Sequence, residues 1–112
     1  MKRDQDMARL LELAKMAFDH SLGRLRSSKA RLDQSRMQLD AINQSGQPVD
    51  LESIMATRVG LGYERWADMR RAELNTVIAR QTAEWLEARD AAQMAFGRVQ
   101  ALQALSGRRT SG

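Results

Sequence analysis

The chain reads as an all-α protein, two long helices folded into an antiparallel coiled-coil hairpin. Three observations predict this. Large apolar residues recur every seventh position at Leu11, Phe18, Leu25, Leu32 and Leu39, and a second column, Ala14, Ser21, Ser28, Ser35 and Ile42, follows three residues behind. A single strong break, Asn43-Gln44-Ser45-Gly46-Gln47-Pro48, holds the only proline. After it comes another 3-4 apolar stripe, Ile78, Gln81, Trp85, Ala88, Ala92, Ala95, Val99 and Leu102. Alternating 3-4 spacing marks a helix whose stripe faces another helix.

Composition agrees. Hydrophobic residues make up 43% of the 112, but aromatics only 4%, so the apolar share is largely Ala, Leu and Met. These are helix formers with little bulk, and they suit a thin seam of contacts better than a thick core. The length bounds the chain at one domain.

The first helix is expected over residues 4–44. Asp4 or Asp6 can cap its free N–H groups and suits the positive end of its dipole. Gly23 inside it costs about 1 kcal/mol relative to Ala. At about 1.5 Å per residue such a helix is roughly 60 Å long. Propensity alone cannot hold it in water, so its stripe needs a partner.

The tip is expected over residues 45–50, where Gly46 suits a left-handed helix end and Pro48 cannot continue a helix. Asp50 then caps a second helix over 51–105. Gly60-Leu61-Gly62 weakens that helix and leaves two readings. If it runs on unbroken, Leu39 meets Met55, Leu32 meets Gly62 and Leu25 meets Met69, with the small Ser28 and Ser35 opposite Trp66 and Val59. If it breaks there, the return helix starts near Tyr63. In the unbroken case the later stripe is out of phase with Met55, Gly62 and Met69, which implies a stutter near residues 70–77. Phe96, Val99, Leu102 and Leu105 then project past the first helix as candidate partner contacts, or the register slides and covers them, or they pair in a dimer. Residues 106–112 are polar, basic and without periodicity, and are expected to form a flexible tail.

The formal net charge is +4 and most of the cations are arginine. The densest basic run is Arg24, Arg26, Lys29, Arg31 and Arg36, and the helical step of about 100° spreads it around the solvent side. That pattern is a solvated face on its simplest reading. A nucleic-acid surface that adds Arg98, Arg108 and Arg109 is the alternative. Cysteine is absent, which rules out disulfides and thiolate metal sites. His20, the one histidine, has Asp19 beside it but no second imidazole or thiolate. Gly60-Leu61-Gly62 lacks the later Gly and Lys-Ser/Thr of a phosphate cradle. Glu84, Glu87 and Asp90, interleaved with Arg80 and Arg89, read as salt-bridge patterning. Trp66 and Trp85 fall at or near the apolar stripes and are expected in or at the edge of the core. A two-helix hairpin has no concavity to converge reacting groups, so the expectation is a non-enzyme without cofactor or metal. No apolar run is long enough to cross a membrane, and the start, Met1-Lys2-Arg3-Asp4-Gln5-Asp6, lacks a secretory h-region. A cytoplasmic place is expected.

Several segments together resemble one family. They are Leu10-Leu11-Glu12-Leu13-Ala14, the leucine-spaced first helix, the glycine-containing tip, Arg65-Trp66 opening the return arm, and Phe96-Gly97-Arg98-Val99-Gln100-Ala101-Leu102. This set is similar to the FliJ/YscO family of stalk proteins from bacterial flagellar and type III secretion export machines. The chain is shorter than typical members. The resemblance implies a coiled-coil hairpin that stands within the export ATPase ring, touches the membrane export gate and binds export chaperones, peripheral to the inner membrane at most. It implies gate contacts near the tip, carried over by position to Leu39, Ile42, Trp66 and Met69. The mechanism implied is coupling, with a stiff packed seam carrying motion from ATPase to gate. Against it stand the basic nucleic-acid hairpin and a generic self-associating coiled coil.

Overall fold

The computed structural model describes residues 2–44 and 53–111, and the side chains of 60–108 within the second stretch. The described residues are all helical, forming α1 (Lys2–Gln44) and α2 (Ser53–Ser111). The fold is the expected two-helix hairpin. The anticipated tip, with Gly46, Pro48, Asp50 and Leu51, lies outside the described residues. By packing the chain divides into two units, Met1–Lys29 with Glu84–Gly112 and Ala30–Ala83.

The heptad columns of α1 predict its buried side. Leu11, Ala14, Phe18, Ser21, Leu25, Ser28, Leu32, Ser35, Leu39 and Ile42 are all buried or half-buried, and Leu32 has no exposed surface. Apart from Met7, Leu22 and Lys29, the other described residues of α1 are exposed. Ser28 Oγ donates to the Leu25 carbonyl at 3.0 Å, so its hydroxyl is satisfied within its own helix.

α2 takes the unbroken of the two readings, passing through Gly60-Leu61-Gly62, and differs from expectation in two ways. It continues beyond Leu105 to Ser111, through the stretch expected to be a tail. Neither segment contains a proline, and each glycine lowers helix stability by only about 1 kcal/mol, which packing along the seam offsets. The second difference is the register.

In the unit of residues 1–29 and 84–112, Phe18 packs on Phe96 with ring centroids 5.4 Å apart, and Lys29 Nζ lies 5.2 Å from the centre of the Trp85 ring. The step from one pair to the next is the same up α1 as down α2, so this stretch is antiparallel and in constant register. It sets Leu25 level with Ala88, Phe18 with Ala95, and Ser28 with Trp85, large side chains against small ones. Val99 is buried and Leu102 half-buried. Of the expected alternatives for Phe96, Val99, Leu102 and Leu105, the projection beyond α1 is overturned and the slid register is the observed one, because α1 lies alongside all four.

In the unit of residues 30–83, Ile42, Ala67 and Leu74 form a buried cluster joined by Leu39, Tyr63 and Ile78. Tyr63 Oη donates to the Ile42 carbonyl at 3.3 Å. Arg70 reaches Gln38 Oε1 at 3.1 Å and Arg71 reaches Asn43 Oδ1 at 2.8 Å, two polar ties across the helices. The same arginines form ion pairs with Glu73 and Asp68 on their own helix. The pairing of Leu32 with Gly62, and of Ser28 with Trp66, is overturned, since Gly62, Trp66 and Met69 are exposed. The side chains of Met55 and Val59 lie outside the described residues.

One column of α2 explains the choice. Gly60, Ala67, Leu74, Gln81, Ala88, Ala95 and Leu102 recur every seven residues, and all are buried or half-buried. It extends the predicted later stripe back to Gly60 in phase. The stutter expected near 70–77 is reduced to a one-residue change in the companion column, from Tyr63, Arg70 and Val77 to Ile78, Trp85, Ala92 and Val99. The stripe through Gly62, Trp66 and Met69 ends at the exposed Glu73 and Thr76, so a register built on it buries less.

Among the described residues the seam carries one polar flaw. Gln81 Oε1 is buried without a hydrogen-bond partner, an arrangement that costs about 1–3 kcal/mol.

Two stability predictions follow from this seam. Gln81→Leu removes the orphan oxygen and raises the midpoint of thermal unfolding by circular dichroism; a lower midpoint would show the amide to be satisfied. Ser28→Leu overpacks a buried site level with Trp85 and destabilises by about 1–3 kcal/mol, whereas an unchanged denaturant midpoint would put Ser28 outside the seam.

Candidate interaction surface

The eight predicted partner-contact residues separate into two groups. Leu39, Ile42, Val99 and Leu102 belong to the seam: Ile42 and Val99 are buried, Leu39 packs on the Ile42 cluster, and Leu102 is half-buried. They hold the helices together and are spent as contacts for a partner. Trp66, Met69, Phe96 and Leu105 remain on the surface. A helical stripe specifies which residues are apolar, but only the partner's axial position specifies which stripe is covered.

Trp66 and Met69 sit one turn apart in the unit of residues 30–83, 52% and 67% exposed. The Trp66 ring leans on Tyr63 at 5.8 Å and 43°, and the Tyr63 hydroxyl is tied to the α1 backbone. The indole is thus presented on a fixed base. The surface around it is mixed: Gln34, Gln38, Ala41, Gly62 and Ala72 are exposed nearby by helical spacing, and Arg70 reaches Gln38 while pairing with the exposed Glu73 one turn beyond Met69. A large aromatic and a Met beside an Arg have the composition of interface centres. Trp66 thus departs from its expected core position.

Trp85 keeps that position. It is half-buried at the seam edge, with Lys29 at 5.2 Å and Arg89 at 5.6 Å from its ring centre. Two cations over one indole are a cation–π arrangement that covers the ring while their charges stay in water. Lys29 is thereby engaged in holding the seam and is not simply part of a basic surface. Arg24, Arg26, Arg31 and Arg36 are exposed, as are Arg98 and Arg108. The side chain of Arg109 lies outside the described residues.

His20 is exposed. Among the described residues no group of three or more His, Asp or Glu side chains is placed to hold a metal ion, and no helix is long and apolar enough to cross a membrane.

No family model, curated protein or solved structure matches the chain. Sequence reasoning missed Leu10, Leu13, Met16, Met37, Leu61 and Met94 as surface apolar residues, all well exposed. The signal was available: each falls outside the heptad columns.

The two tryptophans should separate spectroscopically. Trp66→Phe is expected to remove the red-shifted, acrylamide-quenchable part of the emission, and Trp85→Phe the shielded part. Equal quenching in both variants would contradict the register.

Proposed function

We propose that this hairpin is a non-enzymatic interaction protein, acting as a stalk that couples an export ATPase to a membrane export gate in a bacterial flagellar or type III secretion apparatus. The observation that carries the reading is the presentation of Trp66 and Met69: they stand outside a seam that consumes the other apolar residues predicted near the tip. Support also comes from the segments that resemble the FliJ/YscO family, above all Leu10-Leu11-Glu12-Leu13-Ala14 and Arg65-Trp66. On this reading the two jobs fall on different parts of the chain. The arms near the termini engage the ATPase, and the surface around Trp66 and Met69 engages the gate.

A continuous helix suits a coupling role because its backbone hydrogen bonds resist bending over many turns, whereas a loop of equal span absorbs displacement. The seam adds stiffness without bulk, since Ala and Ser columns let the backbones approach closely. Nothing in this mechanism needs a bound small molecule or metal.

The test is a pull-down with purified export ATPase and, separately, the soluble domain of the gate component. Full-length protein is expected to retain both. The pair Trp66→Ala and Met69→Ala is expected to lower gate capture by about tenfold or more, the effect of truncating an aromatic hot spot, and to leave ATPase capture unchanged. Failure of helical, wild-type protein to retain either partner would end the proposal. Retardation of DNA or RNA at moderate salt would replace it with the nucleic-acid reading.

A further inference from the structure

The unit of residues 1–29 and 84–112 draws like charges from both helices to one point. Lys29 Nζ of α1 and the Arg89 guanidinium of α2 lie 5.2 and 5.6 Å from the centre of the same Trp85 ring. The cations repel each other, and the ring holds them there against that repulsion.

The surroundings of the ring are also basic. In an antiparallel pair, residues that follow seam positions fall on one side of both helices, because both helices are right-handed. Leu22, Arg26 and Lys29 follow Ser21, Leu25 and Ser28, while Leu86 and Arg89 follow Trp85 and Ala88, so all five share a side. The register of Lys29 with Trp85 sets them level within about two turns. Arg26 and Arg89 are exposed, Leu86 is 38% exposed, and Leu22, Lys29 and Trp85 are half-buried.

Carboxylates fall mostly elsewhere. Glu84 and Glu87 precede Trp85 and Ala88 and so lie on the opposite side, and Asp90 is on the outer back of α2. Along α1 the same side carries Asp19, two turns before Arg26, and Asp33, one turn past Lys29. By helical spacing no acid stands within one turn of Arg26 or Arg89 on this side. Three cations, two leucines and an indole thus form a patch with one carboxylate at its edge.

The donors decide what such a patch holds. Arginine offers a planar fork of N–H groups and lysine a compact point charge, a pairing matched to phosphate oxygens. The ring anchors both stems and leaves the N–H groups toward water. Less freedom is therefore lost on binding than by the same side chains on open surface. A diphosphate carries enough oxygens and charge to reach from one helix to the other.

We propose that the Trp85 patch binds a phosphate-bearing anion, held between Lys29 of α1 and Arg89 of α2, with Arg26 adding charge. Because the two arms belong to different helices, the bound anion braces the seam. The inference is independent of the export reading, since it uses residues remote in sequence from Trp66 and Met69 and needs no protein partner.

The probe is inorganic pyrophosphate, titrated into full-length Trp66→Phe protein so that Trp85 alone reports. A saturable change in emission is expected, with a rise in the thermal midpoint, since a ligand of the folded state alone stabilises it. Sodium chloride at matched ionic strength is expected to produce neither. Lys29→Gln and Arg89→Gln are expected to weaken binding by about tenfold each. Arg26→Gln, at an exposed position outside the seam, is expected to weaken it severalfold and keeps the test open should a clamp variant lose helicity. Arg24→Gln removes the same charge from the opposite side and is expected to bind as the parent does. Vesicles of phosphatidylcholine with and without phosphatidylglycerol identify the source. A response to the anionic vesicles without one to pyrophosphate assigns a lipid headgroup, and a response to pyrophosphate assigns a free phosphate compound. No saturable response to either probe, an equal response to chloride, or Lys29, Arg89 and Arg26 variants that bind like Arg24→Gln would each overturn the inference.

Discussion

The structure depends on the small side chains along the seam. α1 lines its second column with Ala14, Ser21, Ser28 and Ser35, and α2 answers with Gly60, Ala67, Ala88, Ala92 and Ala95. Two helices can approach closely only where side chains are short, and close approach is what lets Phe18, Leu25, Leu32 and Trp85 bury part of their surface in so thin a fold. Ser28 costs little here because its hydroxyl bonds to its own helix at Leu25 and asks nothing of the other helix. An aliphatic column in the same place would push the helices apart and break the polar ties of Arg70 and Arg71 to α1.

Much of this was legible in the residues. The α1 columns are the observed buried side, because a helix with a 3-4 repeat over this length has only one face to offer. The later stripe of α2 is also the observed one. What could not be read was axial position. Periodicity states which side of a helix is covered but not how far it has slid along its partner, and two stripes of α2 competed for the same columns. The expectation that a tryptophan lies level with Ser28 illustrates the point. The residue type was right, but the tryptophan is Trp85. The offset is decided by total burial along the whole of α2, and the column from Gly60 to Leu102 buries more than the short one through Trp66.

That displacement also rearranged the candidate surface. Leu39, Ile42, Val99 and Leu102 were read as contacts for other molecules and serve the hairpin itself. Trp66 was read both as core or core edge and as a candidate partner contact, and it stands on the surface. Interaction surfaces on coiled-coil hairpins are properties of the register, and the register is the feature a single sequence states least directly.

The orphan oxygen of Gln81 has a kinetic meaning as well. Native helices open locally before they unfold globally, and the openings begin where the closed state gains least. At Gln81 opening recovers the hydration of a buried amide, while at Leu32 it only exposes hydrocarbon. Away from the helix ends the closed seam therefore gains least around Gln81, and backbone amides of α2 in the turns beside it are expected to exchange with solvent sooner than those flanking Ala88 and Ala95. In this way one side chain gives a uniform seam a preferred place to part.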